Sequence, residues 1–399
     1  MDSKKIRVGV IFEGDLHSGG GFQYQKSFLY QIKSLNKFEF IIFTFSHTSK
    51  NYINSLDLGF KVILVHRNII DLIKSCLLST DIISFLVGKI KLVTHFEKLL
   101  EKENIDLVYF LTSSLWTISL VRHNYIITVW DLCHRDYPEF PEVSFNREFE
   151  RREFLYTKTL KKAVAIIADS DTGKTNIIRR YEIEENRIYV VPYLPSVDVY
   201  NHKEVDIRTK YKIGKDYIFY PAQLWPHKNH VYIIEALAIL KQMGIEIFAV
   251  FSGSDKGNLK NVLEFAKVTG VQNLVKYIGF APEEDMFSLY KNALALVMPS
   301  FFGPTNIPPL EAFAVGTPVI YSELPCFREQ VKDAALFCDL KNPMSLANHL
   351  INLKKDEKLR NILIEKGKQR LEELTKIKIS KVLEEILDNY SIKLKCWKF

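Results

Sequence analysis

Four clusters of residues in this chain have the composition of a ligand site. The first is Gly19-Gly20-Gly21, which follows an apolar run ending at Phe12 and precedes a helical pattern of Phe22, Phe28, Leu29, Ile32 and Leu35. Glycines between a strand and a helix leave backbone N–H groups bare toward a ligand, and the helix dipole favours an anion there. The same glycines also suit a tight turn needing positive φ, so both readings stand. The second cluster is Trp130-Asp131-Leu132-Cys133-His134, just past the apolar run Ile126–Val129. Polar residues at the carboxyl end of a parallel strand sit where open α/β sheets bind ligands, and Asp131 or His134 there could orient a substrate hydroxyl or stabilise charge. His134 equally suits a satisfied, partly buried histidine.

The third cluster runs from Tyr220 to His230 and holds Pro221, Gln223, Trp225, Pro226, His227, Lys228 and Asn229. Lys228 near a helix start could neutralise a phosphate. The fourth is Pro299-Ser300-Phe301-Phe302-Gly303-Pro304-Thr305-Asn306-Ile307-Pro308-Pro309-Leu310-Glu311-Ala312. Asn306 and Pro308 suit a helix start, which would aim the amides around residues 304–307 at one spot. Glu311, about one turn inside, could accept from two ribose hydroxyls on the side facing a crevice, or simply complement the helix dipole. Asp169-Ser170-Asp171 has the form of an Asp-x-Asp metal motif, but it follows a mid-chain strand and reads as a turn with a helix cap. With no His, Asp and Glu set at metal spacing elsewhere, no metal is expected.

The elements that must carry these clusters are legible as apolar runs. Strands are expected at Ile6–Phe12, Phe38–Phe45, Val62–His66, Leu107–Phe110, Ile126–Val129, Val164–Ala168 and Ile188–Val191, then at Tyr217–Tyr220, Ile247–Ser252, Val275–Ile278, Leu294–Met298 and Val319–Tyr321. Nearly continuous apolar strands alternating with longer helical patterns predict parallel, doubly wound sheets covered on both faces. So many strands fit two sheets better than one. The break is expected near residues 193–215, where Pro195 and alternating charges interrupt any periodicity. A last helix is expected at about 377–390.

Length and composition bound the rest. The chain has 399 residues, enough for two to three domains, with 47% hydrophobic and 25% charged residues. With 27 Phe and 19 Tyr, wholesale disorder is excluded. Five cysteines with no C-x-x-C pair argue against a disulfide scaffold and fit a reducing compartment. No signal sequence and no spanning helix are expected. A net charge of +7, spread over both halves, points to no nucleic-acid partner and leaves room for an anionic small ligand or membrane surface. The stretch 69–100, with Leu77, Leu78, Ile82, Ile83, Phe85, Leu86 and Val87, reads as two amphipathic helices over the first sheet, with a membrane-facing patch as the alternative.

Taken together, the stretches Tyr220–His230, Ser252–Ser254, Gly279–Phe280, Ser300–Ile320 and Phe327–Asp339 resemble the C-terminal domain of family four glycosyltransferases, which are retaining, nucleotide-sugar-dependent enzymes of the GT-B fold. Gly19–Gly21, Trp130–Glu139 and Ala168-Asp169-Ser170 resemble the same family's first half. The chain departs from the family at three places. The family has two glutamates eight positions apart; Glu311 matches the second, while Gly303 stands at the first. Ala222-Gln223-Leu224 replaces Gly-Arg-Leu, and Trp130-Asp131 replaces His-Asp. A Gly-Pro-Thr-Asn turn marks the subgroup it resembles.

The resemblance implies two Rossmann-like doubly wound domains facing across a cleft. Residues 1–195 would bind the acceptor, 200–375 the nucleotide sugar, and 376–399 would form a helix and tail crossing back to the first domain. Donor contacts would fall on Gln223, Lys228, Asn229, Ser252, Gly253, Thr305, Asn306, Ile307 and Glu311, and acceptor contacts on Gly19, Gly20, Gly21 and Asp131. Asp131, His134, Lys228 and Glu311 would carry the catalysis. The implied reaction moves a hexosyl or deoxyhexosyl group from a nucleotide-diphosphate sugar to a glycan or lipid-linked acceptor with retention, in surface polysaccharide synthesis. No cofactor or metal is implied. The implied place is the cytoplasm, with peripheral contact at the inner membrane face. A non-catalytic nucleotide-sugar-binding partner, or another GT-B enzyme such as a sugar-nucleotide epimerase, is the alternative.

Overall fold

Val8, Val10, Ile11 and Phe12 are all fully buried, because the first strand is covered on both faces. The structure is a computed structural model that describes residues 5–14, 19–66, 68, 71, 73–74, 93–200 and 204–397. The strands are β1 Arg7–Phe12, β2 Glu39–Thr44, β3 Lys61–Leu64, β4 Leu107–Phe110, β5 Tyr125–Val129, β6 Ala165–Ala168, β7 Ile188–Val190, β8 Tyr217–Pro221, β9 Phe248–Ser252, β10 Val275–Tyr277, β11 Ala295–Met298, β12 Val319–Ser322 and β13 Leu336–Cys338. They form a 7-stranded sheet ordered β3-β2-β1-β4-β5-β6-β7 and a 6-stranded sheet ordered β10-β9-β8-β11-β12-β13. Every pairing is parallel. In both sheets the order reverses beside the first strand, at β1/β4 and β8/β11, the kind of switch point outside which α/β proteins bind ligands.

All the expected strands form, with ends shifted by a residue or two. The edge strand β13 is not among the expected strands; two of its three residues are only half-buried.

Two compact units divide the chain: residues 1–132, 146–191 and 377–399 make the first, and 133–145 with 192–376 the second. The chain passes from the first unit to the second at residues 191–192, beside the break expected near 193–215, and residues 133–145 belong to the second unit as well. In the first unit, Ile379, Leu383, Ile386, Leu387 and Tyr390 of the last helix share one core with Phe28, Leu29 and Ile32 of the helix Gly20–Ile32. In the second unit, the segment 133–145 contributes Cys133 and Val143 to an apolar cluster with Phe302, flanked by Tyr137, Phe140 and Phe301. The sequence pattern assigned this segment to the first domain. What moves it is aromatic burial: Tyr137 and Phe140 both lie against Phe302, at 5.5 and 5.4 Å between ring centroids. Both rings are half-buried, so each contributes less than the roughly 1.5–3 kcal/mol of a fully buried one.

The helix Asp171–Tyr181 begins as its sequence asks. Ser170 Oγ accepts from the N–H of Gly173 at 3.0 Å and donates to Asp169 Oδ1 at 3.0 Å, so the Asp-Ser-Asp run is a cap. Among the described residues no helix is long and apolar enough to cross a membrane. The apolar positions from Leu77 to Val87 lie outside the described residues.

Candidate functional site

Strand β8 delivers the third cluster. After Pro221 the chain makes a short turn, Pro226–Lys228, and enters the helix His230–Gln242 through Asn229, whose φ of 56° is left-handed. Asparagine tolerates that region better than most residues. Lys228 is fixed along its whole length. Its N–H donates to Trp225 O at 3.0 Å, its carbonyl accepts from the Tyr220 hydroxyl at 2.8 Å, and its Nζ donates to Asn306 Oδ1 at 3.1 Å. Beside it, burial and then the neighbouring Lys228 and His227 push the His230 imidazole down to about 3, so it stays neutral.

Strand β11 delivers the fourth cluster. Asn306 is the residue before the helix Ile307–Val315, yet its side chain does not cap that helix. It is turned to other work: Oδ1 accepts from Lys228, and Nδ2 donates to the Tyr321 hydroxyl at 2.6 Å. Its peptide is gripped by the buried Gln330, whose Oε1 accepts from Asn306 N at 3.1 Å and whose Nε2 donates to Asn306 O at 2.6 Å. Tyr321 is in turn stacked on Phe327 at 4.0 Å. The half-buried Thr305 precedes this anchored residue, and the buried Ile307 opens the helix. The N–H groups of the first helical turn have no intrahelical acceptor. Gly303 has φ of 120°, a left-handed value that a side chain would strain, and a Cβ there would meet the Asn306 amide at 3.3 Å.

Glu311 lies one turn inside that helix, as expected, but it is not an open carboxylate. It is 6% exposed, and its Oε2 accepts from the Tyr290 hydroxyl at 2.5 Å. Burial pushes its carboxyl up to about 7, against the opposing hydrogen bonds from Tyr290 and the backbone of Ser196.

The ends of β8 and β9 meet closely. Gly253 has φ of 148°, and an added Cβ would stand 2.4 Å from the Ala222 carbonyl oxygen, so only glycine fits. Ser252 Oγ donates to Gly279 O at 3.0 Å. Gln223 Oε1 accepts from Trp225 Nε1 at 2.9 Å. Lys228 thus meets Asn306, which stands between Thr305 and Ile307 in the chain, Glu311 follows on the same helix, and Gly253 lies against the backbone of Ala222 and Gln223.

The first unit holds Gly19–Gly21 and Asp131. Gly19, with φ of 75°, precedes the helix Gly20–Ile32. Gly21 answers to packing as well: a Cβ there would stand 2.4 Å from Trp130 Cη2. The backbone N–H groups of Glu13 and Gly14, after β1, are taken by Gln25 Oε1 at 2.9 and 3.1 Å. Asp131 Oδ1 accepts from Arg152 Nη1 at 2.9 Å, and Asp131 O accepts from Tyr156 at 3.1 Å. Burial alone would lower the Arg152 guanidinium, but Asp131 and Glu148 outweigh it and raise it. His134 is fully buried and belongs to the second unit, so the run Trp130–His134 is split between the units.

Several residues escaped the sequence reading. Tyr290, Tyr321, Gln330 and Arg152 are ordinary helix and strand residues by pattern; only the fold brings Tyr290 to Glu311, Tyr321 and Gln330 to Asn306, and, in the first unit, Arg152 to Asp131. His227 and Phe302 stood inside the quoted clusters without a role, yet they stack at 3.9 Å and 14°.

Residues 203–370 match the family described as Glycosyl transferases group 1. Among curated proteins, the chain is 26% identical over 215 residues to O-antigen chain mannosyltransferase B of Escherichia coli, covering 53% of this chain and 56% of that protein. It is 27% identical over 238 residues to O-antigen chain mannosyltransferase RfbU of Salmonella typhimurium, covering 59% and 62%. The chain thus spans about six-tenths of the length of these relatives. Among solved structures, Anabaena HepE in complex with UDP-glucose aligns with a TM-score of 0.71 at 14% identity, covering 97% of this chain and 99% of the other. A glycosyltransferase from Rickettsia africae aligns at 0.67 and 15%, covering 98% and 99%. The fold is that of the GT-B glycosyltransferase structures, and the second unit carries the match to the glycosyl transferases group 1 family.

Proposed function

We propose that the chain is a retaining glycosyltransferase that moves a hexosyl or deoxyhexosyl group from a nucleotide-diphosphate sugar to a glycan or lipid-linked acceptor in surface polysaccharide synthesis, at the cytoplasmic face of a membrane. The observation that carries the reading is the contact of Lys228 Nζ with Asn306 Oδ1 at the start of the helix that bears Glu311. A fixed ammonium beside the start of a helix is suited to the diphosphate, whose negative charge grows as the glycosyl–oxygen bond breaks. Glu311 would take the ribose hydroxyls. Asp131, held by Arg152, would orient the acceptor together with the Gly19–Gly21 turn. The leaving phosphate would take the acceptor proton on the same face, so the protein needs no strong nucleophile. Mannose is the first sugar to test, because both curated relatives are named mannosyltransferases.

A thermal-shift screen of nucleoside diphosphates and their sugars tests the binding half, since a ligand that binds only the folded state raises its stability. Radiolabelled transfer by the pure protein tests the chemistry. Stabilisation without transfer to any glycan or lipid-linked acceptor, and without donor hydrolysis, would favour a non-catalytic binding role.

A further inference from the structure

We propose that Glu142 is a positioning residue for the diphosphate-binding lysine, acting through His227. The proposal rests on the reading of Lys228 as the diphosphate contact. Glu142 lies in the segment 133–145, and its side chain is 5% exposed. Its Oε1 accepts from the backbone N–H of His227 at 2.9 Å and pairs with Nδ1 of the same residue's ring. The His227 carbonyl accepts from Phe301 N at 2.9 Å. Its ring is stacked on Phe302 at 3.9 Å and met edge-on by Phe140 at 6.4 Å. His227 is therefore fixed at its amide, its carbonyl, its ring edge and its ring face by residues outside its own turn.

The next residue is Lys228. The peptide plane joining the two is rigid, so a fixed His227 carbonyl fixes the lysine's N–H and Cα, and the Tyr220 hydroxyl holding the Lys228 carbonyl then sets the direction in which its side chain leaves. A lysine on a loose turn would lose that freedom only on binding, at a cost in affinity.

The choice of a carboxylate argues for placement over packing. Burial would raise the Glu142 carboxyl, yet the hydrogen bonds from His227 outweigh it and hold it below the usual range. Its Oε2 is buried with no partner among the described residues. An ionised group this deeply buried is a poor stabiliser compared with a packed apolar side chain. What it supplies is one geometry for the turn Pro226–Lys228.

The test uses the full chain and calorimetry with UDP against uridine and GDP against guanosine. Lys228→Ala calibrates it by weakening the diphosphates selectively. Glu142→Ala should weaken the same diphosphate by about tenfold, a loss worth about 1.4 kcal/mol, and leave its nucleoside within about twofold. Glu142→Gln, which keeps an acceptor for the His227 amide, should fall between, and it carries the test if the alanine variant does not fold. The double variant Glu142→Ala/Lys228→Ala should bind no more weakly than Lys228→Ala, because both act on one contact. Equal losses for nucleoside and diphosphate, or a diphosphate affinity close to wild type beside a selective loss in Lys228→Ala, would overturn the role of Glu142 alone. No selective loss in Lys228→Ala would overturn the donor-site reading and this proposal with it.

Discussion

The Tyr290 hydroxyl donates to the Glu311 carboxylate at 2.5 Å, and both side chains are buried. Burial raises the Glu311 carboxyl from 4.5 to about 7. A carboxyl raised on folding adds stability that is fully present below about 4.5 and is lost as pH rises through about 7. The loss should reach about 3 kcal/mol. Unfolding of the ligand-free protein in urea, followed from pH 4.5 to 8, should show this decline, and Glu311→Gln should flatten it. A wild-type profile parallel to that of the mutant would place the carboxyl at its ordinary value.

Ribose hydroxyls that donate to Glu311 favour its ionised form. Nucleotide affinity should then rise as pH climbs through about 7, with a proton released on binding. Glu311→Gln should lose roughly 1.5–3 kcal/mol of transition-state stabilisation, about 10- to 150-fold in kcat/KM. The decisive comparison is a 2′,3′-dideoxy donor. Wild type should bind it more weakly than the normal donor, whereas the mutant should scarcely tell them apart. A mutant that discriminates as strongly as wild type would remove Glu311 from the ribose site.

Lys228→Ala should weaken nucleoside diphosphates by about 1.5–3 kcal/mol, with little effect on bare nucleosides. Isothermal titration of both ligands reads the difference directly.

Activity should survive excess EDTA, because in the proposed donor site Lys228 and the helix start at Asn306 would neutralise the diphosphate in place of a cation. Complete loss on chelation, restored by magnesium or manganese, would show that the reaction depends on a divalent cation.

Gly21→Ala should destabilise the first unit by about 1–3 kcal/mol, the usual cost of overpacking. Its Cβ would lie 2.4 Å from Trp130 Cη2. Trp130→His in the same chain should restore most of that loss, because the smaller ring vacates the contact. Urea unfolding of the three proteins measures it, and independent, additive effects would refute the packing account.

How much of this was legible depended on distance along the chain. Strands such as β4 and β11 declare themselves locally, since four fully buried residues in a row leave no other reading. The cap at Ser170 is equally local. Asn306 looked like a cap for the same reason, yet Lys228 and Tyr321 compete for its amide, and they lie 78 and 15 residues away. Glu311 was placed correctly on its helix, but its burial depends on Tyr290, 21 residues earlier. The excursion of residues 133–145 left no trace in the sequence, because aromatic residues do not state which other aromatics they will meet.

The route of the chain has a consequence for how the protein is made. The first unit's core is closed by Ile379, Leu383, Ile386 and Leu387, so a ribosome must deliver the chain as far as residue 387 before that unit can finish folding. The second unit is interrupted in the opposite sense, by residues 146–191. Neither unit is a contiguous stretch that could be excised at one cut. A protein truncated after residue 191 would leave Phe28, Leu29 and Ile32 facing water, a sticky surface for chaperones and for other copies of itself.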